Sequence, residues 1–164
     1  MSNYSTIEIQ SIAILIILFF YFIFQIRAFV KNIRNRSLLQ RNKSIKKLKK
    51  LSWSDFELLC MELFEKKGWK VLGNEKKGAD GGVDIWMHRG SFRKKTSAIV
   101  QCKRYDDALV TIKVIREMYG LMYEYDVEEA YIVTSNRFTK ECYKFAEDKA
   151  MTLIDGEALL KMMP

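Results

Sequence analysis

Asp84, Gln101 and Lys103 are the residues whose types and spacing best suit a chemical task. Gln101 and Lys103 fall in residues 98–103, where Ala98, Val100 and Cys102 alternate with Ile99, Gln101 and Lys103. In an extended strand, residues two apart share a face, so the amide and the ammonium point the same way. Asp84 falls in a second alternating run, residues 83–88, with Val83, Ile85 and Met87 expected on one face and Asp84, Trp86 and His88 on the other. If the two strands pair, an acid, an amide oxygen and an ammonium meet at one spot. That set suits phosphodiester hydrolysis. A carboxylate holds a hard cation such as Mg²⁺. The cation polarises the phosphate and lowers the pKa of a bound water, while a lysine orients that water and stabilises charge developing on phosphorus-bound oxygen. A solvated face of a half-open sheet is the plainer reading of the same alternation.

The elements that would position these groups can be read in order. Ser52 with Asp55, and Ser54 with Glu57, have capping-box spacing at the start of a helix near Trp53. Phe56, Leu59, Cys60, Leu63 and Phe64 recur on one face of that helix, which ends at Lys66-Lys67-Gly68. A short strand over residues 69–72, a Gly-, Asn- and Lys-rich loop over 73–82, and a basic turn over 89–95 frame the two alternating runs. A helix over 111–125 follows, with Ile115, Met118, Tyr119 and Met122 inward, then a buried strand over 130–134. A helix capped by Thr139, a strand over 151–154 and a last helix over 157–162 complete the chain. The order α-β-β-β-α-β-α-β-α needs a crossover between its third and fourth strands. It therefore predicts a mixed sheet with helices on both faces.

Charge is distributed unevenly. Residues 27–50 hold ten Lys/Arg and no acid, whereas residues 51–164 hold 18 Lys/Arg against 19 Asp/Glu, a net of −1. This excludes a globally basic, nucleic-acid-coating protein. Residues 12–24 carry no charge and lie within an apolar stretch over 7–26, long enough as a helix to span a bilayer core. Its N-terminal flank carries Glu8 and no Lys or Arg, unlike a secretory signal. Arg27, Lys31, Arg34, Arg36 and Arg41 follow it, which predicts one pass with the N-terminus outside and the C-terminal domain cytoplasmic. The basic stretch could also meet anionic lipid or act as an arm on DNA.

Cys60, Cys102 and Cys142 have no CxxC spacing, and with His88 as the single histidine they build no zinc site. Buried thiols and a surface histidine are expected.

Asp80-Gly81-Gly82-Val83-Asp84-Ile85 followed by Val100-Gln101-Cys102-Lys103 resembles the Mrr-type restriction endonuclease family, a branch of the PD-(D/E)XK nuclease superfold. The resemblance extends through Phe56-Glu57, Ile115-Arg116-Glu117-Met118-Tyr119-Gly120, Val133-Thr134-Ser135, Phe138-Thr139 and Leu153-Ile154-Asp155-Gly156. It implies an α/β, restriction-endonuclease-like mixed β-sheet flanked by helices over residues 51–164. That domain is preceded by a tail (1–6), a transmembrane helix (7–26) and a basic juxtamembrane linker (27–50). It also implies roles. Asp84 resembles the catalytic metal-binding acid, Lys103 the catalytic lysine, and Gln101 the position that most of the superfold fills with Glu or Asp and this branch with Gln. Glu57 resembles a first-helix acid that completes the metal site, its alternative being a capping acid for Ser54. Asp80 resembles an additional loop acid. Val83 replaces the proline of the superfold's name, and a membrane helix stands where relatives carry a DNA-reading domain. The implied activity is a membrane-anchored deoxyribonuclease using Mg²⁺ or Mn²⁺, directed at foreign DNA. A non-catalytic nucleic-acid-binding or scaffold domain is the alternative, and RNA stays open as a substrate. DNA and membrane lipid are the expected partners, with a homodimer left open and no small-molecule cofactor.

Overall fold

The computed structural model describes residues 6–73, 82–91 and 94–164. The chain divides into two units, Met1–Ser37 and Leu38–Pro164. In the first, the apolar stretch is helical, part of α1 (Thr6–Arg41). Gln10–Arg27 within it has a mean hydropathy of 1.9 and no buried residue, so by length and composition it is one helix able to cross a membrane. The side chains of Gln25 and Tyr21, one turn apart, satisfy each other with a 2.7 Å hydrogen bond.

The second unit is built on one five-stranded sheet, order β1-β2-β3-β4-β5: β1 (Lys70–Gly73), β2 (Ile85–Ser91), β3 (Lys94–Lys103), β4 (Glu129–Thr134) and β5 (Met151–Ile154). β1, β2 and β3 pair antiparallel, and β3, β4 and β5 parallel. The parallel half requires crossovers, supplied by α4 (Ile112–Glu124) and α5 (Lys140–Ala146). They cover one face, where Ile99 and Ile132 pack with Ile115, Met118 and Cys142. The other face carries Ile85, Met87, Val100, Cys102 and Val133, and it packs on α3 (Trp53–Lys66) and α6 (Gly156–Met162) through Phe56, Cys60, Phe64 and Leu159. All three cysteines are buried free thiols.

Helix α3 begins where the capping pattern placed it. Ser52 is the N-cap, accepting from the Asp55 amide at 3.1 Å and donating to the Asp55 carboxylate at 2.8 Å. Ser54 therefore lies inside the helix, and Glu57 is not its capping acid.

One expectation is corrected. Val83 does not share the face of Ile85 and Met87. It packs with Ile99 and Met118 against α4, because the β2 ladder starts only at Ile85 and the chain turns at Gly82, whose φ is +108°. The basic stretch over 27–50 is largely helical. α1 runs on to Arg41, and α2 (Ile45–Lys50) follows, capped by Ser44. Leu39 and Leu48 are fully buried in the core cluster of α3 and α6, so the folded unit starts at Leu38 rather than Leu51. A single leucine between two pairs of lysines, as at Leu48, gives little helical periodicity to read.

Leu48 is therefore a core residue. Leu48→Ala in the full chain should destabilise the second unit by about 2–5 kcal/mol, the range for a buried leucine truncated to leave a cavity. Urea unfolding followed by tryptophan fluorescence measures it, and a loss within experimental scatter would return α2 to the status of a tether.

Candidate active site

The β2–β3 register brings the sequence-predicted groups together. Ile85 pairs with Val100 and Trp86 with Ile99, so Asp84, one residue before the ladder, stands beside Gln101. The Asp84 amide donates to the Val100 carbonyl at 2.9 Å, and its carboxylate accepts from the Cys102 amide at 2.6 Å. Asp84 is thus tied to β3 by backbone and side chain together. Lys103 is the last residue of β3, its ammonium 5.9 Å from the centre of the Trp53 ring at the start of α3.

The far end of β3 is clasped from β4. The Lys103 carbonyl accepts from the Thr134 hydroxyl at 2.7 Å and from the Ser135 amide at 3.3 Å. Ser135 Oγ accepts from the Tyr105 amide and donates to the Tyr105 carbonyl, both at 2.9 Å. Thr134 and Ser135 are fully buried. Their polar groups fix the backbone on both sides of Arg104, and so the strand end that carries Lys103.

Gln101 is only 5% exposed. The alternation that could have marked a solvated face marks a covered one, since Ile99 on the same face is core. Its carbonyl oxygen Oε1 is buried and finds no hydrogen-bond partner among the described residues. Its amide Nε2 lies against Gly82, where a β-carbon would come within 2.6 Å. Gly82 is therefore required twice, by its left-handed φ and by the space Gln101 occupies. Sequence reasoning passed over this glycine, although the Gly81-Gly82 pair was the available signal.

The electrostatics follow from burial. Burial raises the Asp84 pKa above the ordinary aspartate value, and the Cys102 amide and the Lys103 charge pull it back only in part. The Cys102 thiol is pushed well up, first by a hydrogen bond with Cys60, then by burial, then by the nearby charges of Cys60, Asp84 and Glu57. Cys102 therefore lies within the fields of both carboxylates, Glu57 acting from α3.

Asp84 and Gln101 could hold a divalent cation. The buried, unpartnered carbonyl oxygen beside a carboxylate is the donor set a hard ion takes, and an ion there would satisfy an acceptor that otherwise stays orphaned. Among the described residues no three His, Cys, Asp or Glu side chains form a metal-holding group, so the amide would be an essential ligand. Asp80 lies outside the described residues. His88 sits along β2 opposite Lys70 and Ser97, away from the site.

A family model described as Mrr_cat, restriction endonuclease, matches residues 48–163. No curated protein matches the chain by sequence. Among solved structures, the DNA modification-dependent restriction endonuclease AspBHI is similar at a TM-score of 0.56 and 15% identity, over 78% of this chain and 34% of that one. A protein of unknown function, AF1548, is similar at a TM-score of 0.51 and 17% identity, over 63% of this chain and 62% of that one. The chain thus spans about a third of the length of the first and under two thirds of the second. At these identities the likeness is one of fold: a five-stranded mixed sheet flanked by helices, as in restriction endonucleases.

Asp84 should cost the metal-free protein stability. Its folded-state pKa is raised, so the folded state binds the proton more tightly than the unfolded chain. The cost is complete above the folded pKa and disappears as pH falls through it toward the ordinary aspartate value. Asp84→Asn, which keeps an acceptor for the Cys102 amide, should melt above wild type at pH 7 in EDTA, and the gap should narrow in acid. Thermal melts across pH measure this, and a variant that melts lower throughout would contradict it. Gly82→Ala should lower stability by about 1–3 kcal/mol through its backbone conformation alone.

Proposed function

This chain belongs to the Mrr_cat family of restriction endonucleases, and from that premise we propose that it is a membrane-anchored, divalent-metal-dependent endonuclease that hydrolyses DNA phosphodiester bonds. The observation that carries the proposal is the buried Gln101 carbonyl oxygen, without a hydrogen-bond partner among the described residues, on the strand whose next residue on the same face is Lys103 and beside the tethered Asp84.

Asp84 would supply the negative charge of the metal site and Gln101 a neutral oxygen, with Glu57 and Asp80 as candidates for a further carboxylate. When bound, Mg²⁺ or Mn²⁺ supplies Lewis-acid polarisation of the scissile phosphate and a more acidic water. Lys103 would orient the attacking water and stabilise the charge that accumulates on the phosphate oxygens. Water oxygen bonds to phosphorus, the bond from phosphorus to one sugar oxygen breaks, and that oxygen leaves with a proton. The Asp84 tie to the Cys102 amide and the Thr134–Ser135 clasp hold the reacting groups in register without cost at the moment of reaction.

The membrane part of the proposal rests on Gln10–Arg27. The cations that follow it and the single acid before it favour an external N-terminus and a cytoplasmic catalytic unit. Incoming foreign DNA is the substrate this location and the family suggest.

Purified full-length chain should nick supercoiled plasmid with Mg²⁺ or Mn²⁺ and not in EDTA. Asp84→Ala and Lys103→Ala should each lower the rate by about 100-fold or more, the scale for losing one preorganised charged group. Gln101→Ala should nick slowly while binding DNA as wild type does, because phosphate contacts elsewhere supply most affinity. Wild type that binds DNA yet fails to nick it across a range of divalent ions would leave a binding module. Carbonate-washed membranes should retain the chain, and recovery in the soluble fraction would remove the anchor.

A further inference from the structure

We infer that helix α2 is a docking ridge for the phosphate backbone of duplex DNA, held beside the reactive end of β3. What happens to the DNA there rests on the nuclease reading above, whereas the binding does not.

The first argument is charge. Residues 43–50 contain Lys43, Lys46, Lys47, Lys49 and Lys50 and no acid, and the next acid along the chain, Asp55, is engaged by Ser52. Taken alone, residues 51–164 carry a net of −1, which gives a polyanion no reason to approach. The folded unit begins at Leu38, however, and so also includes Arg41, Lys43, Lys46, Lys47, Lys49 and Lys50. These six cations turn a net of −1 into +5, all of the change lying on one short segment.

The second argument is that the segment is fixed. Leu48 is fully buried, Ser44 caps the helix, and the Lys47 ammonium donates to the Arg41 carbonyl at 2.9 Å. With Leu48 inward, Lys46 and Lys50, one turn apart, share the opposite face, and both are exposed, as is Lys43. The backbone that carries these ammonium groups is ordered before any ligand arrives, so binding orders only their side chains.

The third argument is position, and it selects DNA over a lipid surface. The Arg104 guanidinium donates to the Lys49 carbonyl at 2.9 Å, and Arg104 directly follows Lys103. Only Leu51 and Ser52 separate α2 from Trp53, whose exposed ring lies 5.9 Å from the Lys103 ammonium. A chain of phosphates lying along α2 therefore leads to the end of β3 where Asp84, Gln101 and Lys103 meet. Lipid headgroups need no such adjacency.

The test uses the full chain in neutral-detergent micelles and a fluorescent duplex longer than one helical turn, in EDTA so that binding is read without cleavage. Replacing Lys43, Lys46 and Lys50 together by Ala should weaken binding roughly 10- to 100-fold at low salt. It should also reduce the slope of log affinity against log salt by about 2–3, since each neutralised phosphate contributes about 0.9. Replacing the same three by Arg should preserve affinity and slope. Unchanged affinity and slope in the Ala variant overturns the inference, as does equal loss in the Ala and Arg variants, which marks a purely structural helix. An Ala variant that keeps DNA but loses phosphatidylserine vesicles assigns the ridge to lipid and overturns it too. The nuclease reading fails separately: wild type that binds through α2 yet never nicks with Mg²⁺ or Mn²⁺ removes the enzyme and leaves the ridge.

Discussion

The register of β2 on β3 is the constraint on which the site depends. Side chains in a strand alternate, so a slip of one residue would turn Gln101 and Lys103 away from Asp84 and send Val100 and Cys102 out of the core. The slip is opposed from both faces. Ile85, Met87, Val100 and Cys102 must meet α3, and Ile99 must meet α4. The double tie of Asp84 to the Val100 carbonyl and the Cys102 amide then closes the pairing at the end where the ladder stops. Core packing and site geometry are thus one specification, and moving the site would mean unpacking both layers.

That arrangement explains why an amide suits position 101. Burial already raises the Asp84 pKa despite a backbone donor and a nearby lysine. A second carboxylate, as covered as Gln101 and next to Asp84, would add its own desolvation and a like-charge repulsion. In the metal-free protein both effects would favour the protonated form of one of the two acids. A glutamine presents an acceptor oxygen without that charge, at the smaller cost of one polar group without a partner among the described residues. A neutral oxygen at position 101 spares Asp84 that repulsion.

Much of this was legible in the sequence, because alternation in residues 98–103 and 84–88 is a strong local signal and the order of elements admits few topologies. The pairing of Asp84 with Gln101 needed only that the two strands be neighbours. What escaped had no period. Val83 changes face because Gly82 redirects the chain, and a left-handed glycine leaves no hydrophobic mark. Leu39 and Leu48 are core, but Leu48 is flanked on each side by two lysines, and ten cations without an acid read as a solvated segment. The Thr134–Ser135 clasp escaped in the same way, since two small hydroxyl residues at a strand end look like the start of a loop until their partners on the Lys103 and Tyr105 backbone are known.

The position of α2 resolves a tension between burial and binding. A site that covers Gln101 and pulls Asp84 away from water has little exposed charge of its own with which to attract a polyanion. Surface lysines serve that purpose cheaply, because they stay solvated until they meet phosphate, but mobile lysines on a free arm would capture DNA without aiming it. Burying one leucine fixes the helix, and one guanidinium-to-carbonyl bond joins it to the strand that ends in Lys103. Attraction and chemistry are then separated by distance and by dielectric, yet they remain in fixed geometry, so neither weakens the other.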